Sequence, residues 1–326
     1  MAEWLASGTE DDVRPRMFAE SEAARPFALA TITAADGGPR PVGAQMVVTE
    51  DRTWGFLSGG CIEADVAVHA RQALRDGRPR TLVYGRGSPF IDMRLPCGGR
   101  IEVFLERVGA GDPAMAGLRR LTEARTPALW ESDGRRRACR AELERGQMAG
   151  ARLRRRYDPG QRMVVIGSDP FALAMAALAR NIGWDTILVA PFGPADDPPF
   201  GIVCDRRPPD AALAALRPDR WTAIAVATHD LAADEEALTA ALRSGSGYVG
   251  VLGSRRKHAE RVAGLRTAGL DDAAIAHLKS PIGLPIGASS PWEIAVAVAG
   301  EIIAHRSPAP ARPLAERGVA DAAAGG

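Results

Sequence analysis

Up to about residue 110 the apolar positions come in short runs broken by Gly and Pro. FALATIT at 27–33, QMVVT at 45–49, TWGFL at 53–57, RTLVY at 80–84 and RIEVFLERV at 100–108 are rich in β-branched and aromatic residues, a pattern that predicts strands. One helix interrupts them. After Gly60, the positions Ile62, Val66, Ala67 and Ala70 recur at helical spacing through Leu74, and Asp76-Gly77 supplies the stop. Short strands around one helix predict a small α+β domain on a largely antiparallel sheet.

From Arg162 the pattern becomes an alternation. Strand MVVIG is followed by a helix from Pro170 to Ile182, strand TILVA, a helix near Ala211 to Leu216, strand TAIAVAT, a helix from Asp234 to Arg243, strand YVGVLG and a basic helix from Arg255. Strands alternating with helices give right-handed βαβ units and a parallel sheet, so the fold class is α/β with a second, Rossmann-like domain. A last helix from Pro291 to His305 carries Ile294, Val298, Ile302 and Ile303 on one face, with Pro291 suited to its first turn. The expected organisation is an α+β domain over 1–110, an Arg-rich connecting segment over 111–160, the Rossmann-like domain over 161–306, and a disordered tail over 307–326, where Pro, Ala and Gly dominate. The connecting segment contains RRRACRAELERGQMAGARLRRR, whose periodicity does not decide between a hairpin and a helix plus strand. Such a charge run is either a solvated face or a surface for anions or partner proteins.

Composition narrows the function classes. At 326 residues about two domains are expected, and 46% hydrophobic with 25% charged residues is an ordinary globular balance. A net charge of +1 provides no overall attraction to nucleic acid or to an anionic membrane, so neither is an expected partner. The start MAEWLASGTEDD is acidic where a secretion signal is basic, and no apolar run approaches the roughly 20 residues that span a bilayer, which points to the cytoplasm. Cys61, Cys97, Cys139 and Cys204 are too few and too scattered for a disulfide framework and lack zinc spacing, so they are expected as free thiols.

The βα turn that binds dinucleotides in Rossmann folds is here Gly167-Ser168-Asp169-Pro170-Phe171-Ala172. Asp169 replaces the second glycine, so a carboxylate faces the position of a pyrophosphate, and TILVA ends in Ala190-Pro191 rather than in a ribose-binding acid. Both features argue against NAD or NADP.

Other segments offer better chemistry. Cys61 follows Gly59-Gly60 at a helix start, where open backbone and unpaired amides suit an anion and stabilise a thiolate, while Glu63 and Asp65 in the same turn repel one. Its alternative role is a small hydrophobe in a tight turn. Cys97 precedes Gly98-Gly99, either as a second thiol or as filler in a glycine turn. Cys139 and Cys204 lack such surroundings and read as structural. Thr228-His229-Asp230 ends a strand of the parallel sheet, where His229 binds phosphate or metal or carries a proton, unless Thr228 and Asp230 simply cap a helix. Ser254-Arg255-Arg256-Lys257 is either a phosphate cradle or a solvated basic helix start. The turns PIGL and IGAS, within 281–289, are expected beside the same crevice.

The pieces PVGAQMVV, SGGCIEADVA, LPCGGRIEVFLE, ATHD, YVGVLGSRRK and SPIGLPIGASSPWEIAVAVAGEI, in this order from about Ala28 to Ile303, resemble the XdhC/CoxI family. The resemblance implies an N-terminal XdhC/CoxI domain followed by a Rossmann-type domain. It also implies an accessory protein without turnover of its own, which binds molybdenum cofactor as molybdopterin or its dinucleotide form. Such a protein supports sulfuration by a cysteine desulfurase and insertion into the apoenzyme of a molybdenum hydroxylase such as xanthine dehydrogenase or an aldehyde-oxidising enzyme, and a homodimer is implied as well. On this reading Gly59, Gly60, Cys61, Glu63, Cys97, Gly98, Gly99, Thr228, His229, Asp230, Ser254 and Arg255 contact the cofactor, with Cys61 and Cys97 at the metal or its sulfur and His229, Ser254 and Arg255 at phosphate. The sequence departs from the family at GSDP, where many members keep a fuller glycine turn. The competing expectations are an NAD(P)-dependent oxidoreductase and a cofactor-free scaffold that docks desulfurase to apoenzyme through the Arg-rich segment.

Overall fold

In strand β1 (Phe27–Asp36), Ala28, Ala30 and Ile32 lie in one apolar cluster and Phe27 and Leu29 in another. Successive strand residues point to opposite sides, so β1 needs a layer above it and a layer below. The computed structural model describes residues 11–37, 40–88, 98–228 and 230–306, and the chain divides into two units, Met1–Pro159 and Gly160–Gly326.

In the first unit β1 is the middle strand of a five-stranded antiparallel sheet. The order is β3 (Thr53–Gly55), β2 (Gln45–Val48), β1, β5 (Arg100–Val108) and β4 (Arg80–Gly85). Helix α2 (Glu63–Asp76) covers one face, with Val66, Ala70 and Ala73 clustered with Ala30, Met46 and Val103. It stops at Gly77, whose left-handed φ of 68° lets its N–H reach the Ala73 carbonyl at 2.9 Å. The other face carries α1 (Arg14–Glu22), α3 (Pro113–Glu123) and a three-stranded sheet ordered β7 (Arg137–Ala141), β6 (Ala128–Ser132), β8 (Leu153–Tyr157). Met17, Leu118, Trp130 and Tyr157 from this layer cluster with Phe27, Leu29 and Phe104.

All but the last residue of the expected connector over 111–160 are therefore part of the first unit, which ends at Pro159 rather than near residue 110. The Arg run owes this to carboxylates that the layer buries. Arg137, with 3% of its side chain exposed, donates to Glu106 at 2.7 Å and to Asp112 at 2.8 Å. Buried Glu131 accepts from Arg154 at 2.7 Å, from Arg140, and from the Met148 N–H at 3.1 Å. Several of the arginines read as a solvated face are thus counter-ions.

The second unit is a six-stranded parallel sheet. Its order is β11 (Val203–Asp205), β10 (Asp185–Val189), β9 (Arg162–Ile166), β12 (Thr222–Val226), β13 (Tyr248–Val251), β14 (Leu278–Lys279). Counted within the unit, this is the order 3-2-1-4-5-6 of the doubly wound dinucleotide-binding sheet. Met163, Val165, Ala223 and Ala225 cluster with α4 (Pro170–Asn181) and α9 (Pro291–Arg306). Val164, Ile166, Ile224 and Val226 cluster with α5 (Pro209–Leu216), α6 (Leu231–Arg243), α7 (His258–Thr267) and α8 (Asp272–Ile275). Both faces being covered explains the unbroken apolar strands. Helix α9 opens on a reciprocal capping box: the Glu293 carboxylate accepts the Ser290 N–H at 2.9 Å while the Glu293 N–H reaches Ser290 Oγ at 3.4 Å. The N–H groups of Ser290 and then Ser289, with the hydroxyls of both, hold the Glu293 carboxyl at about 2. Among the described residues no helix is long and apolar enough to cross a membrane, and the expected tail at 307–326 lies outside them.

Replacing Arg137 by Ala leaves Glu106 and Asp112 without their shared cation in a dry layer. Urea denaturation should show a loss of roughly 3–5 kcal/mol, the cost of breaking a buried pair from one side. The exposed neighbour Arg135→Ala should stay within about 0.5 kcal/mol of the parent.

Candidate functional site

Strands β1, β3 and β4 run one way and β2 and β5 the other. The pairings Asp36 with Arg100 and Gly85 with Arg100 place the ends of β1 and β4 and the start of β5 at one end of the sheet, while Gly55, paired with Met46 opposite Ala30, sets the end of β3 level with the middle of β1. The loop bearing Ser58, Gly59, Gly60 and Cys61 runs from the end of β3 to the start of α2, and Gly98-Gly99 leads into β5, with the Arg86 N–H on the Gly99 carbonyl at 3.3 Å. Tyr84, at the end of β4, donates to Asp65 in the first turn of α2 at 2.7 Å and so ties the helix start to that strand end. Burial, then the Asp65 carboxylate, pushes the Tyr84 phenol well above its ordinary value. The first turn of α2 and Gly98-Gly99 are thus both held beside the end of β4, while Cys97 lies outside the described residues.

The loop is organised by Glu63. One carboxylate oxygen accepts the N–H groups of Leu57 at 2.9 Å, Ser58 at 2.6 Å and Gly59 at 3.2 Å. The other accepts Ser58 Oγ–H at 2.7 Å and the N–H groups of Gly60 at 2.9 Å and Ile62 at 3.2 Å. Ser58 Oγ in turn accepts the Cys61 N–H at 3.1 Å. Gly59 and Gly60 adopt φ of 132° and 108°, a region that side-chain-bearing residues avoid, so the turn needs both glycines. The amides expected to lie open to an anion are therefore taken by Glu63, whose two carboxylate oxygens are engaged by its own loop. Burial pushes its carboxyl up, but the donors of Ser58, Leu57 and Gly59 outweigh it and hold the group at about 2. Asp65, the other carboxylate in this turn, is engaged by Tyr84, with His69 Nε2 at 3.7 Å. What remains outward is the exposed thiol of Cys61.

At the second pair, Gly98 has φ 67°, and a Cβ on Gly99 would lie 2.7 Å from the Asp36 carbonyl oxygen. Gly99 is thus fixed by close packing on the end of β1, as a glycine turn requires. Cys139 sits half-buried on β7, where burial pushes its thiol up to about 11, and Cys204 sits half-buried on β11.

In the parallel sheet Gly167 has φ 147°, and a Cβ there would collide with the Ala227 carbonyl oxygen. Asp169 caps α4 by accepting the Ala172 N–H at 2.7 Å, and Asp230 caps α6 by accepting the Ala233 N–H at 2.8 Å. Thr228 Oγ1 donates to Asp234 at 2.6 Å and lies 3.0 Å from the Asp230 carbonyl oxygen, and buried Asp234 pairs with buried Arg261 at 2.7 Å. Thr228 and Asp230 thus form the capping cluster that the sequence left open, with His229 outside the described residues. This cap also starts α6 at Leu231, ahead of the expected Asp234. Ser254, Arg255, Arg256 and Lys257 are exposed, the last three in a 3-10 turn leading into α7, and no ion pair to a described residue holds them. The PIGL turn runs beside β13, with the Ile282 N–H on the Val251 carbonyl at 3.0 Å.

Sequence reasoning missed the roles of Glu63 and Asp169 as acceptors for their own turns. The signal was present in their positions, within reach of glycine-rich or helix-opening amides.

Fold and site together define a two-unit protein, an antiparallel α+β unit presenting an outward thiol and a Rossmann-type unit with a self-capped nucleotide turn. The chain belongs to the XdhC and CoxI family: the model described under that name matches residues 21–85, and the XdhC Rossmann domain matches residues 163–302. The molybdenum cofactor insertion chaperone PaoD of Escherichia coli (strain K12) is 32% identical over 272 residues, covering 83% of this chain and 80% of its own. A probable xanthine dehydrogenase component from Bacillus subtilis (strain 168) is 27% identical, covering 85% of this chain and 92% of its own. The crystal structure of a xanthine dehydrogenase from Bacillus halodurans shares the fold, with a TM-score of 0.68 at 24% identity, over 93% of this chain and 99% of its own.

Glu63→Ala strips the acceptor from the amides of the Cys61 loop. It should cost roughly 1–3 kcal/mol at neutral pH and speed amide hydrogen exchange across residues 57–62. Because the folded carboxyl titrates near 2 against an ordinary 4.5, its contribution is complete above about pH 4.5 and fades as pH falls toward 2. The stability gap between the parent and Glu63→Gln should therefore be smaller at about pH 3 than at about pH 7.

Proposed function

We propose that the protein is a cytoplasmic accessory factor that binds molybdenum cofactor as cargo, supports its sulfuration and delivers it to the apoenzyme of a molybdenum hydroxylase, with no turnover of its own. The observation that carries this reading is the 32% identity to a cofactor insertion chaperone across about four fifths of both chains. The site gives it chemistry. A thiolate is a soft ligand for molybdenum and an acceptor for sulfane sulfur, and Cys61 stands outward on a loop that Glu63 has already locked. A rigid loop loses little freedom when a ligand is bound.

In this proposal Cys61, with Cys97 as the second thiol, contacts the metal or its sulfur. Gly59 and Gly60 let the ligand approach the backbone, since a Cβ on either would meet nothing within 4 Å. The cargo is molybdopterin or its dinucleotide form, and the second unit, taken by itself, offers exposed Ser254 and Arg255 to a phosphate. A cysteine desulfurase as sulfur donor and a homodimeric state belong to the same proposal. The capped turn at Asp169 speaks against the NAD(P)-dependent alternative.

Protein expressed in a cofactor-producing host should co-purify with molybdenum and with pterin, read by elemental analysis and by pterin fluorescence after oxidation. The double variant Cys61→Ala, Cys97→Ala should retain about a tenth or less, the consequence of losing some 1.4 kcal/mol or more of binding. Equal retention removes the thiols from the proposal. A parent free of molybdenum and pterin that still captures desulfurase and apoenzyme favours the scaffold reading.

A further inference from the structure

Where the order of the parallel sheet reverses, at the carboxyl ends of β9 and β12, lies a cavity of about 620 Å³. Small-molecule sites run to about 300–1,000 Å³, and open parallel sheets bind their ligands at this place. The two sides of the cavity differ in chemistry. Ala190, Pro191 and Phe192 after β10, with Pro208 and Pro209 leading into α5, make an apolar side. Phe192 is 93% exposed, an aromatic face that stacks on no other ring among the described residues.

The opposite side is the start of α6. Asp230 spends Oδ1 on the Ala233 N–H, and no described residue donates to its Oδ2 or to the Glu236 carboxylate. Ala233 and Glu236 are three residues apart and share a helix face. The cavity's cation, Arg206, is committed to the carbonyl oxygens of Pro194, Ala195 (2.9 Å) and Asp196 (2.8 Å). Asp169 already covers the α4 amide on which a pyrophosphate would sit. The cavity thus offers a stacking face and hydrogen-bond acceptors, and repels phosphate.

We propose that this crevice binds an unphosphorylated nucleoside, with its base against Phe192 and the prolines and its ribose hydroxyls donating to Asp230 and Glu236. The acceptors come from α6 rather than from the end of the second strand, which is the reverse of the dinucleotide arrangement. Aromatic faces stack any base, and the acceptor pair requires a donor-bearing sugar. This inference is independent of the cofactor reading, whose test measures molybdenum and pterin.

Equilibrium dialysis of the full chain against adenosine, guanosine, cytidine and uridine, each with its 5′-diphosphate, and against NAD⁺ tests it. At least one nucleoside should bind with a Kd below about 1 mM, and its diphosphate and NAD⁺ at least about tenfold more weakly. Asp230→Asn with Glu236→Gln should weaken nucleoside binding about tenfold or more, since Asn Oδ1 still caps α6 while each group's negative charge and second acceptor oxygen are replaced by an NH₂ donor. Phe192→Ala, at an exposed position, should weaken it without lowering the urea midpoint. Absence of nucleoside binding by the parent overturns the proposal, as does NAD⁺ binding as tight as the best nucleoside or unchanged binding by folded variants.

Discussion

Backbone amides that a turn leaves open must find an acceptor, and in this chain the acceptor is repeatedly the turn's own carboxylate. Glu63 closes the loop from Leu57 to Ile62, Asp169 closes the start of α4, Asp230 the start of α6, and Glu293 the start of α9. Each carboxylate occupies ground that a bound anion takes in other proteins of similar architecture. The chemistry left for a ligand is then what the carboxylates do not use: an outward thiol, an unpaired basic turn, and a crevice with acceptors but no free cation among its described residues. Self-capping thereby takes the amides of these four turns out of reach of a bound anion.

Much of this architecture was legible because burial writes itself into spacing. The strands around β1 and the alternating segments from β9 onward are marked by β-branched runs, and α2 by its spacing and its Gly77 stop. The elements without such a mark were missed. β11 and β14 have 3 and 2 residues, too few for a period to show, and α1 has few apolar positions. The layer built from residues 111–160 was hidden by its arginines, because a cation paired to a buried carboxylate looks in sequence like one facing water. Only the fold brings Arg137 to Glu106 across 31 positions.

The site was legible in residue type and not in role. The sequence marked Gly59, Gly60 and Cys61 as a glycine-framed thiol, and the structure leaves that thiol exposed just ahead of α2. It also marked Thr228 and Asp230, which turn out to be bonded to their own helix and to Asp234. The difference lies in direction: composition tells which groups are near in sequence, whereas the acceptor that satisfies a given donor depends on a φ angle or a helix start.

The pairing of Arg137 with Glu106 has a bearing on how much chain the antiparallel sheet needs in order to exist. A fragment ending just past β5 would keep every strand of that sheet yet bare Phe27, Leu29 and Phe104 to water and strand Glu106 without its counter-ion. The smallest autonomous piece of this half is therefore the whole of it. Insertions, fusions or swaps between relatives that cut between β5 and β8 sever a single cooperative body, while the join at Pro159 and Gly160 is the seam where parts can be exchanged.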